Sequence, residues 1–533
     1  MVCSSRRTLL AITLVILICG ALGAVFGQRV TPSTSTGDTD LRDSLRQFSQ
    51  VYETVEQNYA EPVNPDKAIY NGAIPGMLRV LDPHSNFFDP KAYSALREEQ
   101  RGKYYGVGMQ VGPRNNKVIV IAPFAGTPAY RAGIRPGDVI IAVDGKPTDN
   151  LSTSEVADML KGPKGTTVKI TVLREGTDKP IDFTVMRDEI PRYSVDLHFL
   201  IRPGIGYMHI SGFQETTDQE VQRALDEMGD LKGLILDLRQ NPGGLLSEGV
   251  GVADKFLHKN AIIVSHHGRS SPEKIYRAAH GNGGRDYPLV VLVNRGTASA
   301  AEILAGAIQD HDRGLIAGET TFGKGLVQTV YPLSENTGLA LTTAKYYTPS
   351  GRLIQRDYNG VSLYDYYYNH EAADDNNPQD REVKVTDSGR TVYGGGGITP
   401  DVKLDEPKPN KIQILLLQKY AFFNFAKRFT VGKRIQRSFQ VDEPVMQDFR
   451  KFLDEQKIPY TEADLMQNDA WIRARIKSEI FVDEFGQQDG LQASAEADPE
   501  VQQALDLLPK ARELADNARK IIAEKTAARG LNR

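Results

Sequence analysis

Residues 288–312 read PLVVLVNRGTASAAEILAGAIQDHD, and residues 314–328 continue GLIAGETTFGKGLVQ. Leu289–Val293 is a short, apolar, β-branched run behind a proline, the pattern of a buried strand. Asn294, Arg295 and Gly296 make a turn. From Ser299 onward, Ile303, Leu304, Ala307 and Ile308 recur at helical spacing. Ser299 therefore sits where a buried strand becomes a helix, beside free backbone N–H groups and the positive end of the helix dipole. A second buried run, residues 314–318, leads to Phe322-Gly323-Lys324-Gly325. Strands alternating with helices at this spacing predict a layered α/β core.

Ser299 has two readings. Ser299-Ala300-Ala301-Glu302 fits the S-x-x-E capping box. It also places a hydroxyl where a developing negative charge would be stabilised. Lys324 has small and apolar neighbours and no acidic residue nearer than Glu319. A serine hydroxyl needs a base beside it, and an ordinary lysine, with a pKa of about 10.4, is almost wholly protonated at neutral pH. Serving as base requires a fall to roughly 7–8, which burial supplies by penalising the charge. Phe322, Leu326 and Val327 are the candidate walls. Gln328 can accept a hydrogen bond from the amine without adding negative charge.

NRGTASAAE and FGKGLVQ, with LILDLRQNPGG before them and AKYYTPSGRLIQ after them, resemble the carboxyl-terminal processing proteases, serine–lysine peptidases of the tail-specific protease type. LDPHSNFFDP upstream and GGGGITPDV downstream extend the likeness over residues 45–405. The resemblance implies Ser299 as nucleophile, Lys324 as general base and Gln328 as the residue that positions it. It implies an oxyanion hole of the Gly244 and Ala300 N–H groups. It also implies a crotonase- or ClpP-like α/β catalytic core with an inserted PDZ domain, an N-terminal helical arm and a C-terminal helical region. Independently of the family, two glycines after the buried run 233–238 let backbone approach a ligand closely.

Upstream, the Gly-bearing stretch Tyr105, Gly106, Val107, Gly108 and Met109 enters a strand. Further alternating strands follow at 118–121, 139–143, 167–173 and 181–186. AGIRPGDVI at residues 132–140 resembles the turn and strand of PDZ domains, and residues 154–160 form the groove helix. Backbone N–H groups of the 105–109 loop would hold a terminal carboxylate while the peptide adds as a strand. The expected partners are proteins with exposed C-terminal tails.

The rest of the chain bounds these readings. A net charge of −4 gives no reason to expect a nucleic-acid partner. Arg6 and Arg7 precede residues 9–27, which carry no charge and as a helix would span about 28 Å, close to a bilayer core. An uncleaved inner-membrane anchor with the remainder in the periplasm or outside is the expectation. A cleaved signal peptide, ending near Ala24 or Gly27, would instead give a secreted protein. The only cysteines, Cys3 and Cys19, lie in this segment, so the exported part has no disulfide and no thiolate metal site. No HExxH or calcium-loop spacing occurs, and no cofactor or metal is expected. His266, His267 and His311 read as structural, and Asp82-Pro83-His84-Ser85 as a helix-stopping turn. Residues 364–368 and 374–378 read as a polar surface loop. Beyond residue 408, residues 412–425 are apolar almost all round and 444–453, 462–485 and 499–527 read as amphipathic helices; the resemblance implies that such a helical region serves dimer contacts, so a homodimer is a possible partner arrangement.

The domain boundaries read as 1–28 anchor, 29–40 linker, 41–102 helical arm, 103–190 PDZ, 191–405 peptidase core and 406–533 helical region. The function read is an exported serine endopeptidase of C-terminal tails. The alternative is a catalytically silent, membrane-anchored PDZ adaptor.

Overall fold

The computed structural model describes residues 36–114, 116–177, 179–369, 381–404 and 408–531. The anchor read at residues 9–27 and the loop at 374–378 lie outside them. Among the described residues no helix is long and apolar enough to cross a membrane. The chain divides into a unit ending at Gly76 and a unit from Met77 to Arg533. The first holds the helix Thr36–Asn58, with Leu45, Phe48 and Val51 exposed on it, and the short helical turns Pro65–Ala68 and Ile69–Ala73.

In the second unit the helix Pro90–Arg101 is capped by the Asp89 carboxylate on the Ala92 N–H and stopped by Gly102 in the left-handed region. A neck of two antiparallel strands, Lys103–Gly106 and Asp188–Pro191, leads into and out of the PDZ domain. That domain is a six-stranded sheet with Met109–Arg114 at its edge and the helices Pro128–Arg131 and Thr153–Leu160.

The peptidase core is built on a six-stranded sheet. Val195–Arg202 runs antiparallel to Ile205–Ile210. Gly233–Asp237, Leu289–Val293, Leu315–Gly318 and Val402–Lys403 then follow in parallel. Strand alternation divides its side chains between two cores. Leu234, Leu236, Val291, Val293 and Ile316 meet the helices Thr217–Met228, Leu246–Asp254 and Ala300–Asp310. Ile235, Val290, Leu292, Leu315 and Ala317 meet Val501, Ala504, Leu508 and Ala511 of the last helix, Pro499–Leu531. A core bounded at residue 405 thus leaves out the helix that covers one face of its own sheet. That helix is pinned at its start: Arg239, just past the strand Gly233–Asp237, binds Asp237 at 2.6 Å, Asp498 at 2.9 Å and Glu500 at 2.5 Å.

A second, five-stranded antiparallel sheet comprises Asn86–Phe88, Ile262–Gly268, Ser271–Arg277, Leu326–Pro332 and Gly338–Tyr347. The helices between residues 411 and 496 enclose a separate core around Phe422, Phe425, Phe449 and Ile476. One reading is corrected. The tyrosine-rich run is a helix, Leu363–Tyr368, capped by Ser362, and Tyr366 is buried rather than on a polar loop.

Candidate active site

Parallel strands gather functional groups at their carboxyl ends. Gly233–Asp237 delivers Gly243 and Gly244, Leu289–Val293 delivers Ser299, and Leu315–Gly318 delivers Lys324. Asn241, fully buried, ties the first two loops together. Its carbonyl accepts the Ala298 N–H at 2.8 Å, its side-chain oxygen accepts the Gly243 N–H at 2.8 Å, and its amide donates to the Ile210 carbonyl at 2.7 Å.

Ser299 precedes its helix in a conformation few L-residues adopt, φ 55° and ψ −116°. The glutamate side of the capping box does form. Glu302 accepts the Ser299 N–H at 2.8 Å. The same Glu302 oxygen accepts the Lys324 N–H at 2.8 Å, so the two backbones lie no further apart there than twice that distance. Its other oxygen accepts the Gly323 N–H at 2.7 Å and the Thr321 hydroxyl at 2.5 Å. Three N–H donors and the Thr321 hydroxyl favour the ionised carboxylate, while burial pushes its pKa up against them. Tyr346, buried below, donates to the Lys324 carbonyl at 2.6 Å and lies 3.1 Å from the Ser299 carbonyl.

The Lys324 amine has no hydrogen-bond or ion-pair partner among the described residues. Burial lowers its pKa, against the pull of Glu302 and Asp82. Both carboxylates are occupied: Glu302 as above, and Asp82 by the His84 N–H at 2.8 Å, the Ser85 N–H at 2.7 Å and the Ser85 hydroxyl at 2.7 Å. Asp82 and His84 thus form a turn, as read, but one packed beside the lysine.

Gly243 packs on the nucleophile. A Cβ there would stand 2.8 Å from Ser299 Cβ, 2.8 Å from the Ala300 nitrogen and 2.7 Å from the Ala298 oxygen. The Phe213 N–H donates to Gly243 and the Leu245 N–H to Phe213, so the N–H of Gly244 between them faces away from that strand. Neither the Gly244 nor the Ala300 N–H meets an acceptor among the described residues. Ser299, Lys324, Gly244 and Ala300 are therefore brought together. Among the described residues no hydrogen bond joins the Ser299 hydroxyl to the lysine amine. Gln328 stands apart: a register shift falls between Val327 and Gln328, and its amide donates to the Thr342 hydroxyl at 3.3 Å, not to Lys324.

In the PDZ domain, Tyr105 and Gly106 belong to the neck strand rather than to a loop. Val107 and Gly108 form the turn, with the Gly108 carbonyl held by the Thr127 hydroxyl at 2.7 Å. Gly106, Val107, Gly108 and Met109 are buried and Tyr105 is exposed. Sequence reasoning missed the anchoring by Glu302, Tyr346 and Asn241. Only Glu302 left a signal, as the one charge in the otherwise apolar first turns of a buried helix.

Residues 204–362 match the model of peptidase family S41, residues 119–174 that of the PDZ domain, and residues 26–92 that of the N-terminal domain of the activating protease CtpB. The chain is similar to the carboxy-terminal-processing protease of Bartonella bacilliformis, 36% identical over 384 residues, 71% of this chain and 79% of the relative. It is 42% identical over 292 residues to the carboxyl-terminal-processing protease of a Synechocystis species, 53% of this chain and 68% of the relative. The carboxy-terminal processing protease CtpA of Bacillus subtilis is 36% identical over 336 residues, 62% and 70%.

Proposed function

The chain belongs to peptidase family S41, among the carboxy-terminal processing proteases, and on that premise we propose that it seizes protein C-terminal tails with its PDZ domain and cuts them with Ser299 as nucleophile and Lys324 as base. The observation that carries this is the shared Glu302 oxygen, which anchors both backbones while the lysine amine has no partner among the described residues. Neutral Lys324 takes the Ser299 proton as Oγ adds to the scissile carbonyl carbon. The charge that develops on the carbonyl oxygen meets the Gly244 and Ala300 N–H groups. The ammonium then protonates the leaving amine, and a water deprotonated by Lys324 releases the acyl group and regenerates the hydroxyl. Contacts of this kind tighten only with substrate in place. In this reading Gln328 exchanges its long bond to Thr342 for the lysine amine as the site closes.

Incubation with a protein bearing an unstructured, apolar C-terminal tail, followed by mass measurement, tests the assignment. Ser299→Ala and Lys324→Ala are each expected to stop cleavage with the melting transition kept. Full activity in either ends the assignment.

We also propose export, supported by the charge-free residues 9–27 behind Arg6 and Arg7 and by the lack of cysteine after Cys19. Cell fractionation with protease accessibility of a C-terminal tag tests it, and a protected cytoplasmic tag refutes it. Homodimers through the C-terminal helices are proposed too, with a monomeric mass by light scattering as the refuting result.

A further inference from the structure

His84 is the last residue expected in a serine–lysine site, yet its imidazole lies in the wall around Lys324. Its ring meets Phe322 at 6.4 Å, Tyr366 at 5.5 Å and Tyr367 at 6.1 Å between centroids, each edge-on. The donors and acceptors around it can be assigned one by one. The Gly325 N–H, next to the base, donates to Gln355 Oε1 at 2.8 Å, which fixes the orientation of that amide. Gln355 Nε2 then donates to the Arg356 carbonyl at 2.7 Å and to the Tyr366 hydroxyl at 3.1 Å. The Tyr366 oxygen is an acceptor there, so its own proton goes to His84 Nε2 at 2.9 Å. The Tyr367 hydroxyl donates to the Pro83 carbonyl at 2.8 Å, so it receives the proton on His84 Nδ1, 3.4 Å away. Every proton in the series points the same way, and the series closes only with a neutral imidazole protonated on Nδ1. A second ring proton would leave the buried Tyr366 hydroxyl with no acceptor.

We propose that His84 is a positioning residue for Lys324: a one-way chain of hydrogen bonds from Gly325 to Pro83 holds its ring uncharged against the base and keeps water from that side of the amine. This rests on the reading of Lys324 as the base. The groups facing the ring agree with it. Lys324 comes from the 321–325 loop. Arg356, its guanidinium 4.7 Å from the rings of Phe322 and Tyr366, comes from the segment beside it. Asp82 comes from the ring's own turn and the phenols of Tyr366 and Tyr367 from the helix Leu363–Tyr368. The Arg356 guanidinium, and the Lys324 amine whenever it carries a proton, disfavour a further positive charge, with Asp82 opposing them. Burial first, and then Lys324, lower the His84 pKa to about 4, with Asp82 opposing. The N-terminal turn thus does more than stop a helix. It supplies a dry, uncharged face to the lysine that an imidazolium would repel and a water-filled gap would hydrate.

Two measurements on the full chain test this. The first is kcat/KM against pH for the wild type, His84→Gln, Tyr366→Phe and Tyr367→Phe, on a fluorogenic peptide with an apolar C-terminus. Opening the wall hydrates Lys324 and raises its pKa, so the acid limb of His84→Gln and Tyr366→Phe moves to higher pH by about one unit, with KM within about twofold. Acid limbs that superpose on the wild type overturn the proposal. Loss of the wild-type rate's own dependence on Ser299 and Lys324 would instead overturn the base assignment on which it rests. Should Tyr366→Phe fail to fold, the milder Tyr367→Phe, which removes one hydroxyl at the edge of the series, carries the test with the same expected direction. The second measurement is the 15N spectrum of histidine-labelled protein, with the His84→Gln spectrum identifying the signal. His84 is expected to hold its Nδ1 proton unchanged from about pH 5 to about pH 8, and a midpoint near the ordinary value of about 6.5 refutes the proposal.

Discussion

Glu302→Gln separates the two things that Glu302 does to the site. Glutamine keeps the shape of the side chain but replaces one acceptor oxygen with an NH2 donor. Turned one way, the amide faces the N–H groups of Ser299 and Lys324. Turned the other, it faces the Gly323 N–H and Thr321, whose hydroxyl can rotate to accept. At least one buried N–H is orphaned either way, at about 1–3 kcal/mol of stability. Relief of that clash shifts the serine or the lysine loop by a fraction of an ångström, and misplacement on that scale costs on the order of 10–100-fold in rate. The charge acts in the opposite sense. The Glu302 carboxylate favours the Lys324 ammonium, so removing it lets burial lower the lysine pKa further. The variant should therefore have a lower kcat/KM plateau together with an acid limb displaced to lower pH. Peptide cleavage from about pH 5 to about pH 10, alongside thermal unfolding, reads both. A plateau within about twofold of the wild type, or an acid limb that moves upward, would falsify the anchoring argument.

Three further substitutions are expected to behave as follows. Lys324→Met removes an amine whose folded-state pKa is depressed, so the unfolded chain binds the extra proton and the native lysine weakens the fold at neutral pH. The variant should outlast the wild type in urea there, with the advantage shrinking as pH rises from the depressed value towards about 10.4; an advantage that grows with pH contradicts the shift. Gly243→Ala places a Cβ within 2.8 Å of the Ala300 nitrogen at φ 93°, so activity should fall by about 100-fold or more while peptide binding to the PDZ domain is kept. Wild-type turnover in that variant would show that the loop is not packed as described. Arg239→Ala strands the buried carboxylates of Asp237 and Glu500 and should lower stability by about 3–5 kcal/mol in urea unfolding, an unchanged midpoint being the contrary result.

What the residues announced in advance, and what they did not, follows from the range over which each signal acts. Leu289–Val293, the turn and the helix after Ser299 were legible because strand and helix periodicity are local. So was the helix over 499–527, although nothing local says that its Val501, Ala504, Leu508 and Ala511 cover a sheet whose strands lie some two hundred residues earlier. The S-x-x-E pattern was undecidable for the same reason. An ordinary cap and a strained nucleophile share the letters, and only φ at Ser299 separates them. The placement of Gln328 depends on a one-residue register shift that no composition encodes. His84 read as a turn residue because, of the groups around it, only Asp82 is local; Phe322, Lys324, Arg356, Tyr366 and Tyr367 lie beyond any local window.

The arrangement also resolves a conflict in the chemistry. A lysine base needs an accurate position, which argues for a strong ionic anchor, and a depressed pKa, which argues against any carboxylate nearby. Here the anchor grips the backbone of Lys324 and not its amine. Glu302 has its lone pairs directed at three N–H groups and a hydroxyl, and Asp82 has its own directed at two N–H groups and a hydroxyl. Each carboxylate still acts on the amine through space, but among the described residues neither is hydrogen-bonded to it, so the contact that would restore the ammonium is not made. Position and protonation state are thereby set by different atoms of the same residue, and Glu302→Gln is expected to move them in opposite directions for that reason.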